Sequence, residues 1–190
     1  MTNQTSPVFL TEERLNVLRD SIQTKREPAF TAWSQVIQAA EAELDRPSKV
    51  PDEWRVPWYY VEPEAHNRLK NVLRDEANAA YAQALAYRMT DDPRFAHTAI
   101  RLINSWSTQL QSMSTEEDST LAFSNLFPAF LFAADLLRGD ALWADAEQTA
   151  FRKFVREQAI PMNCMHKENN WGNWGMLLVA ASAAYLGDEE

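Results

Sequence analysis

The sequence has 190 residues, of which 46% are hydrophobic, and a formal net charge of −9. That length allows one domain with its own core, or part of a larger one, and the hydrophobic share excludes general disorder. The acidic balance argues against non-specific binding to nucleic acid or anionic membranes, no apolar run reaches the length of a membrane span, and a lone cysteine, Cys164, excludes an internal disulfide.

Only four glycines are present, which favours helix over sheet. The N-terminal stretch MTNQTSPVFLTEERL has no basic segment followed by an apolar one, so no signal peptide is expected there; a cytoplasmic protein and a processed one both stay open. Residues 31–44 place Trp33, Val36, Ile37, Ala40 and Leu44 on one helical face. RPSKVPDEWRVPWYYVEPEAH, with four prolines, reads as an extended connector. Helix returns near His66 and runs to about Met89, with Leu69, Val72, Ala79, Ala80 and Gln83 in register. Asp92 can cap the next helix with Pro93 in its first turn, and that helix buries Phe95, Ala99, Leu102, Ile103 and Trp106. A polar loop, QSMSTEEDS, leads to a helix from about Thr120 to Leu137, stopped at Gly139. Another covers roughly Ala141 to Gln158 and ends before Pro161. The last runs from Trp174 to Leu186 and ends at Gly187.

Long helices therefore begin near His66, Thr120 and Trp174, about 54 residues apart, with two helical hairpins between them. Such spacing suggests an all-α solenoid or an (α/α) toroid built of antiparallel hairpins; an irregular bundle is the plainer alternative. On this pattern the third hairpin holds only its first helix. Met176, Leu177, Val179, Ala180 and Leu186 would then lack a partner, so an incomplete toroid, truncated on its C-terminal side, and some self-association are expected. Residues 1–50 read as N-terminal helices and connector, residues 51–190 as the toroid domain.

Cys164, His166 and Glu168 form C-x-H-x-E, but no HExxH or CxxC accompanies them, so no metal site is expected. No glycine-rich phosphate loop is present. The segment HKENNWGNWG, His166 to Gly175, suits carbohydrate better: indole rings stack on the apolar faces of sugars, and asparagine amides both donate to and accept from hydroxyls. Asn169, Asn170, Asn173, Trp171 and Trp174 supply both kinds of group. The plainer reading makes Trp174 a core residue and one asparagine a helix cap. Trp171 is expected to be accessible and Trp174 largely buried. In the connector, Trp54, Trp58, Tyr59 and Tyr60 either wall a groove or staple the chain to the helices. HNRLK, with His66, Arg68 and Lys70, is the most basic stretch and offers local attraction to carboxylates.

The succession VPWYYVEPEAHNRLK, DEANAAYAQALAYRMTDDPRFAHTAIRLINSWS, LAFSNLFPAFLFAADLLRG and NNWGNWGMLLVAASAAYLGD resembles the alginate lyase superfamily between Val56 and Asp188. The resemblance implies an (α/α) toroid that cleaves uronic-acid polymers by β-elimination without a cofactor, acting in the periplasm or outside the cell on an acidic polysaccharide. The family's loop N-N-H-S-Y-W falls on Asn169-Asn170-Trp171-Gly172-Asn173-Trp174. Asn170 takes the place of the carboxylate-neutralising amide, and Trp171 stands where the family has histidine. The family's catalytic Arg and Tyr fall beyond Glu190. Asn170 and His166 are thus the catalytic candidates. Asn169, Trp171, Asn173, Trp174, Tyr59, Tyr60, His66 and Lys70 are the substrate-binding ones, with Tyr59 or Tyr60 as a possible proton donor. Two other functions fit the same residues: a non-catalytic carbohydrate-binding or virion-associated module, and a structural helical-repeat protein.

Overall fold

The computed structural model describes residues 7–187. The expectations about a leader at residues 1–6 and about a return helix starting at residues 188–190 lie outside the described residues. The fold is all-α. Its elements are α1 (Glu12–Gln23), α2 (Ala29–Ala42), β1 (Glu53–Trp54), α3 (Pro63–Thr90), α4 (Pro93–Gln109), β2 (Ser112–Met113), α5 (Ser119–Leu126), α6 (Pro128–Leu136), α7 (Asp145–Phe154) and α8 (Asn170–Leu186).

α3 is the spine. Its buried side, including Leu73, Ala77, Ala80 and Ala84, is largely alanine, so neighbouring helices approach closely. It packs against α4 on one side and α6 on the other, while α8 packs against α5 and α6, and α4 against α7. The helices thus form two rows, with α3, α5–α6 and α8 in one and α4 and α7 in the other. The turn between α3 and α4 follows from local chemistry. Asp91 takes a left-handed conformation, Asp92 Oδ1 accepts the Arg94 N–H at 3.0 Å, and Pro93 occupies the first turn, where its missing N–H leaves no bond unmade. Phe95, Ala99, Leu102, Ile103 and Trp106 are buried as the periodicity requires.

Several expectations need correction. The apolar run from Thr120 to Leu137 forms two helices, because Pro128 has no N–H to give to Ser124 and starts a new helix at that point. By length and composition Ser119–Leu136 is apolar enough to cross a membrane, contrary to the initial reading, but 67% of it is buried inside the fold. The helix expected from Ala141 begins at Asp145 and does not end as an α-helix. It widens into a π-turn at Val155–Ala159 and tightens into a 3-10 turn at Ile160–Met162, where Pro161 cannot donate to Glu157. QSMSTEEDS is more than a loop: Ser112 and Met113 pair in parallel with Glu53 and Trp54. The last helix starts at Asn170 rather than Trp174. On it Met176, Leu177 and Ala180 are exposed as expected, whereas Val179 is half-buried and Leu186 is buried.

The connector between α2 and α3 is bound to the helices by polar atoms. Trp54 Nε1 donates to the Ser119 carbonyl at 3.1 Å, and Ser119 Oγ accepts the Val56 N–H at 2.9 Å. The buried Glu76 carboxylate accepts from Ser48 Oγ at 2.9 Å, from Trp106 Nε1 at 2.8 Å and from the Lys49 N–H. An extended segment has no internal ladder, so its backbone groups must find partners elsewhere, and these satisfy several of them.

Candidate functional site

The connector and the residues leading into α8 meet at an open cleft of about 490 Å³. Trp58, Glu116, Glu117, His166, Lys167 and Trp171 are among the residues that line it. The indoles of Trp58 and Trp171 are neighbours, with centroids 6.4 Å apart and planes tilted by 38°.

Two glycines put Trp171 there. A Cβ on Gly172 would lie 2.1 Å from the Lys167 carbonyl oxygen, and one on Gly175 would lie 2.2 Å from Met165 N. The stretch from Cys164 to Lys167 therefore rests directly on the first turns of α8, a contact open to no other residue. Buried Cys164 adds a hydrogen bond from its thiol to the Trp171 carbonyl, S to O 3.1 Å. Asn169 caps the helix: its Oδ1 accepts the Trp171 N–H at 2.9 Å. It does so at φ 76°, ψ −157°, a conformation nearly confined to glycine that costs roughly 1–3 kcal/mol in other residues.

The expected site residues do not form one group. His166 and Trp171 line the cleft, His166 exposed and Trp171 half-buried. Asn170, Asn173 and Trp174 share the outward face of α8 at helical spacings of three and four, opposite the buried Gly172, Gly175 and Leu178. Asn170 and Asn173 are exposed, while Trp174 is partly buried, its turn of the inner face being taken by the glycines. Tyr59 and Tyr60 lie in the exposed turn next to Trp58, with Tyr60 95% exposed. His66 is buried under that turn: its Nδ1 lies 2.9 Å from the Pro57 carbonyl and 3.3 Å from Asp118, and the Tyr59 ring meets it edge-on. Lys70 is half-buried on α3 and does not line the cleft.

Trp58 and Lys167 were not singled out as site residues from sequence. The signal for Trp58 was present in the aromatic connector, but nothing periodic in an extended segment shows which ring faces the cleft. Glu117 sits at φ 58° and its carboxylate accepts from Arg55 Nε at 3.0 Å, which holds that exposed guanidinium still more firmly protonated than usual. Asn163 is occupied structurally, accepting the Met165 N–H and donating to the Ile160 carbonyl. Among the described residues no three His, Cys, Asp or Glu side chains cluster as metal ligands. Cys164 is buried while His166 and Glu168 are exposed, so C-x-H-x-E does not converge.

The cleft thus brings together two indole rings, an imidazole and an ammonium on an all-α scaffold. The Alginate lyase family model matches residues 18–190, and the chain belongs to that family. The match begins within α1, so it takes in α2 and the connector as well as the segments from Val56 onward. No curated protein matches the chain.

Proposed function

We propose that this protein cleaves a uronic-acid-containing polysaccharide, of the alginate or glucuronan type, by β-elimination at the cleft between Trp58, His166 and Trp171. The observation that carries this reading is the convergence of Trp58, Trp171, His166 and Lys167 on one cleft, in a chain of the Alginate lyase family; Asn170 is exposed at the start of α8, next to Trp171 in sequence. The two rows of helices are, on this reading, part of an (α/α) toroid. Polymers of this kind are met outside the cytoplasm, which places the work in the periplasm or the medium.

The chemistry states what each group must do. The C5 proton of a uronate is weakly acidic, and its removal places charge on the adjacent carboxylate. Asn170 donates hydrogen bonds to that carboxylate, Lys167 adds positive charge nearby, and both interactions grow as the charge develops. His166 takes the C5 proton. The electron pair forms the C4–C5 double bond, the C4–O bond breaks, and the leaving oxygen is protonated by Tyr59 or Tyr60.

Incubation with polymannuronate, polyguluronate and polyglucuronate tests this, with product followed by the ultraviolet absorbance of the new double bond. Asn170→Ala is expected to lower kcat by about 100- to 1000-fold with affinity nearly unchanged. Turnover at the wild-type level would remove Asn170 from the mechanism. Binding without any product would assign the cleft to a carbohydrate-binding module.

A further inference from the structure

We propose that the buried Asp118–His66 pair is a positioning device. It presents Trp58 beside Trp171 as a two-ring ledge that stacks the sugar unit next to the one being cleaved. The proposal rests on the carbohydrate reading of the cleft but not on catalysis there.

Trp58 sits in a short turn whose flanks are all tied down. Before it, Val56 gives its N–H to Ser119 Oγ at 2.9 Å, and its carbonyl accepts the Asp118 N–H at 3.1 Å. After it, the Tyr59 N–H donates to Asp118 Oδ2 at 2.9 Å. The Trp58 carbonyl accepts the N–H groups of Val61 and Glu62 at 3.1 and 3.0 Å. The His66 imidazole lies beneath. Its Nδ1 faces two acceptors, the Pro57 carbonyl at 2.9 Å and Asp118 Oδ2 at 3.3 Å, so Nδ1 carries the proton in this tautomer. One carboxylate oxygen therefore holds both the backbone on the far side of Trp58 and the ring that supports the near side. Asp118 and His66 are both buried, while the Trp58 ring they hold is 46% exposed. A large exposed ring on a fixed backbone is what preorganised stacking needs: little conformational freedom is left to lose on binding.

The geometry of the two indoles decides how a sugar meets them. A pyranose held between two rings needs about 7–8 Å between them, twice the optimal carbon–carbon contact. The centroids are 6.4 Å apart, so no sugar enters between them. The pair forms an angled ledge, and a polymer lies along its open faces. His166 and Lys167 line the same cleft, so a chain lying on the ledge has its neighbouring unit beside the polar groups.

Two indoles this close give an exciton couplet in circular dichroism without any ligand, measured as wild type minus Trp171→Phe. Asp118→Ala and His66→Leu are expected to lose that couplet while still melting cooperatively, and Asp118→Asn, which keeps one acceptor oxygen, to recover part of it. Binding of oligouronates, followed by tryptophan fluorescence, should weaken about tenfold in Asp118→Ala and in Trp58→Ala. The double variant should bind no more weakly than Trp58→Ala alone, because both changes remove one interaction. If Asp118→Ala does not fold, His66→Leu with its own double variant gives the same reading. A retained couplet in the folded variants, additive losses in the double variant, or a wild-type protein that binds no oligouronate would each overturn the proposal. Binding that behaves as described without any unsaturated product would leave the ledge standing and defeat only the lyase reading.

Discussion

The connector (residues 45–62) and the asparagine-rich segment (residues 163–175) each deliver one tryptophan to the cleft, by opposite means. The connector is held by polar bonds to buried atoms: the Glu76 carboxylate, Ser119 and Asp118. The asparagine-rich segment has local polar ties, such as the Cys164 thiol to the Trp171 carbonyl, but its seat on α8 is set by close contact of Cys164–Lys167 backbone with Gly172 and Gly175. A polar clamp tolerates changes of shape but not the loss of a partner; a steric fit tolerates changes of polarity but not one added carbon. The two walls of the cleft should therefore fail under different substitutions.

The largest effect is expected at Glu76. Glu76→Ala leaves Trp106 Nε1, Ser48 Oγ and the Lys49 N–H without their acceptor in a buried site, so about 3–5 kcal/mol of stability should be lost in urea unfolding. Glu76→Gln keeps an acceptor oxygen and should lose distinctly less. Equal losses for the two would mean that shape rather than hydrogen bonding holds the connector.

Next comes Gly175→Ala. The helix propensity of alanine favours it by about 1 kcal/mol. Against that, the new Cβ meets backbone atoms of Cys164 and Met165 at 2.6 Å and closer, and backbone cannot turn aside as a side chain can. A net loss of about 2–3 kcal/mol is expected, with weakened oligouronate binding as Trp171 shifts. A neutral or stabilising outcome would show that the segment is free to lift off α8, and the contrast between the two walls would disappear.

How far each wall was legible in sequence follows the same division. The turn before α4 could be read because everything that decides it lies within Thr90–Arg94. The break at Pro128 was readable too, but the continuous apolar run around it outweighed the one residue that mattered. The start of α8 at Asn170 could not be read: Asn, Gly and Trp are poor helix formers, and what makes a helix of them is the packing of Cys164–Lys167 against Gly172 and Gly175. The clamp on the connector was hidden because its partners lie far away in sequence. Glu76 is 27 residues from Lys49, and Asp118 is 59 from Tyr59. HNRLK read as a basic patch, whereas the fold buries its histidine beneath an aromatic turn and leaves Lys70 away from the cleft.

The smallest effect separates two roles of a single residue. Asn169 caps α8 through its side chain while its backbone is strained at φ 76°, ψ −157°. Asn169→Gly relieves that strain, and glycine is a nearly adequate cap, losing only a few tenths of a kcal/mol. The variant should therefore be more stable by about 1 kcal/mol, against a strain of roughly 1–3 kcal/mol. Asn169→Ala keeps the strain and loses the cap, so it should be less stable by about 1 kcal/mol. The opposite signs, read by thermal unfolding, are the test, and two destabilised variants would mean that the side chain matters beyond the cap. Activity then decides why the strain is kept. Strained residues persist where function needs their geometry, so an Asn169→Gly protein that is stabler yet slower on polyuronate would show the second amide of the Asn169–Asn170 pair at work on the substrate. A stabler protein of unchanged activity would leave Asn169 as a cap alone, and the neutralising role with Asn170.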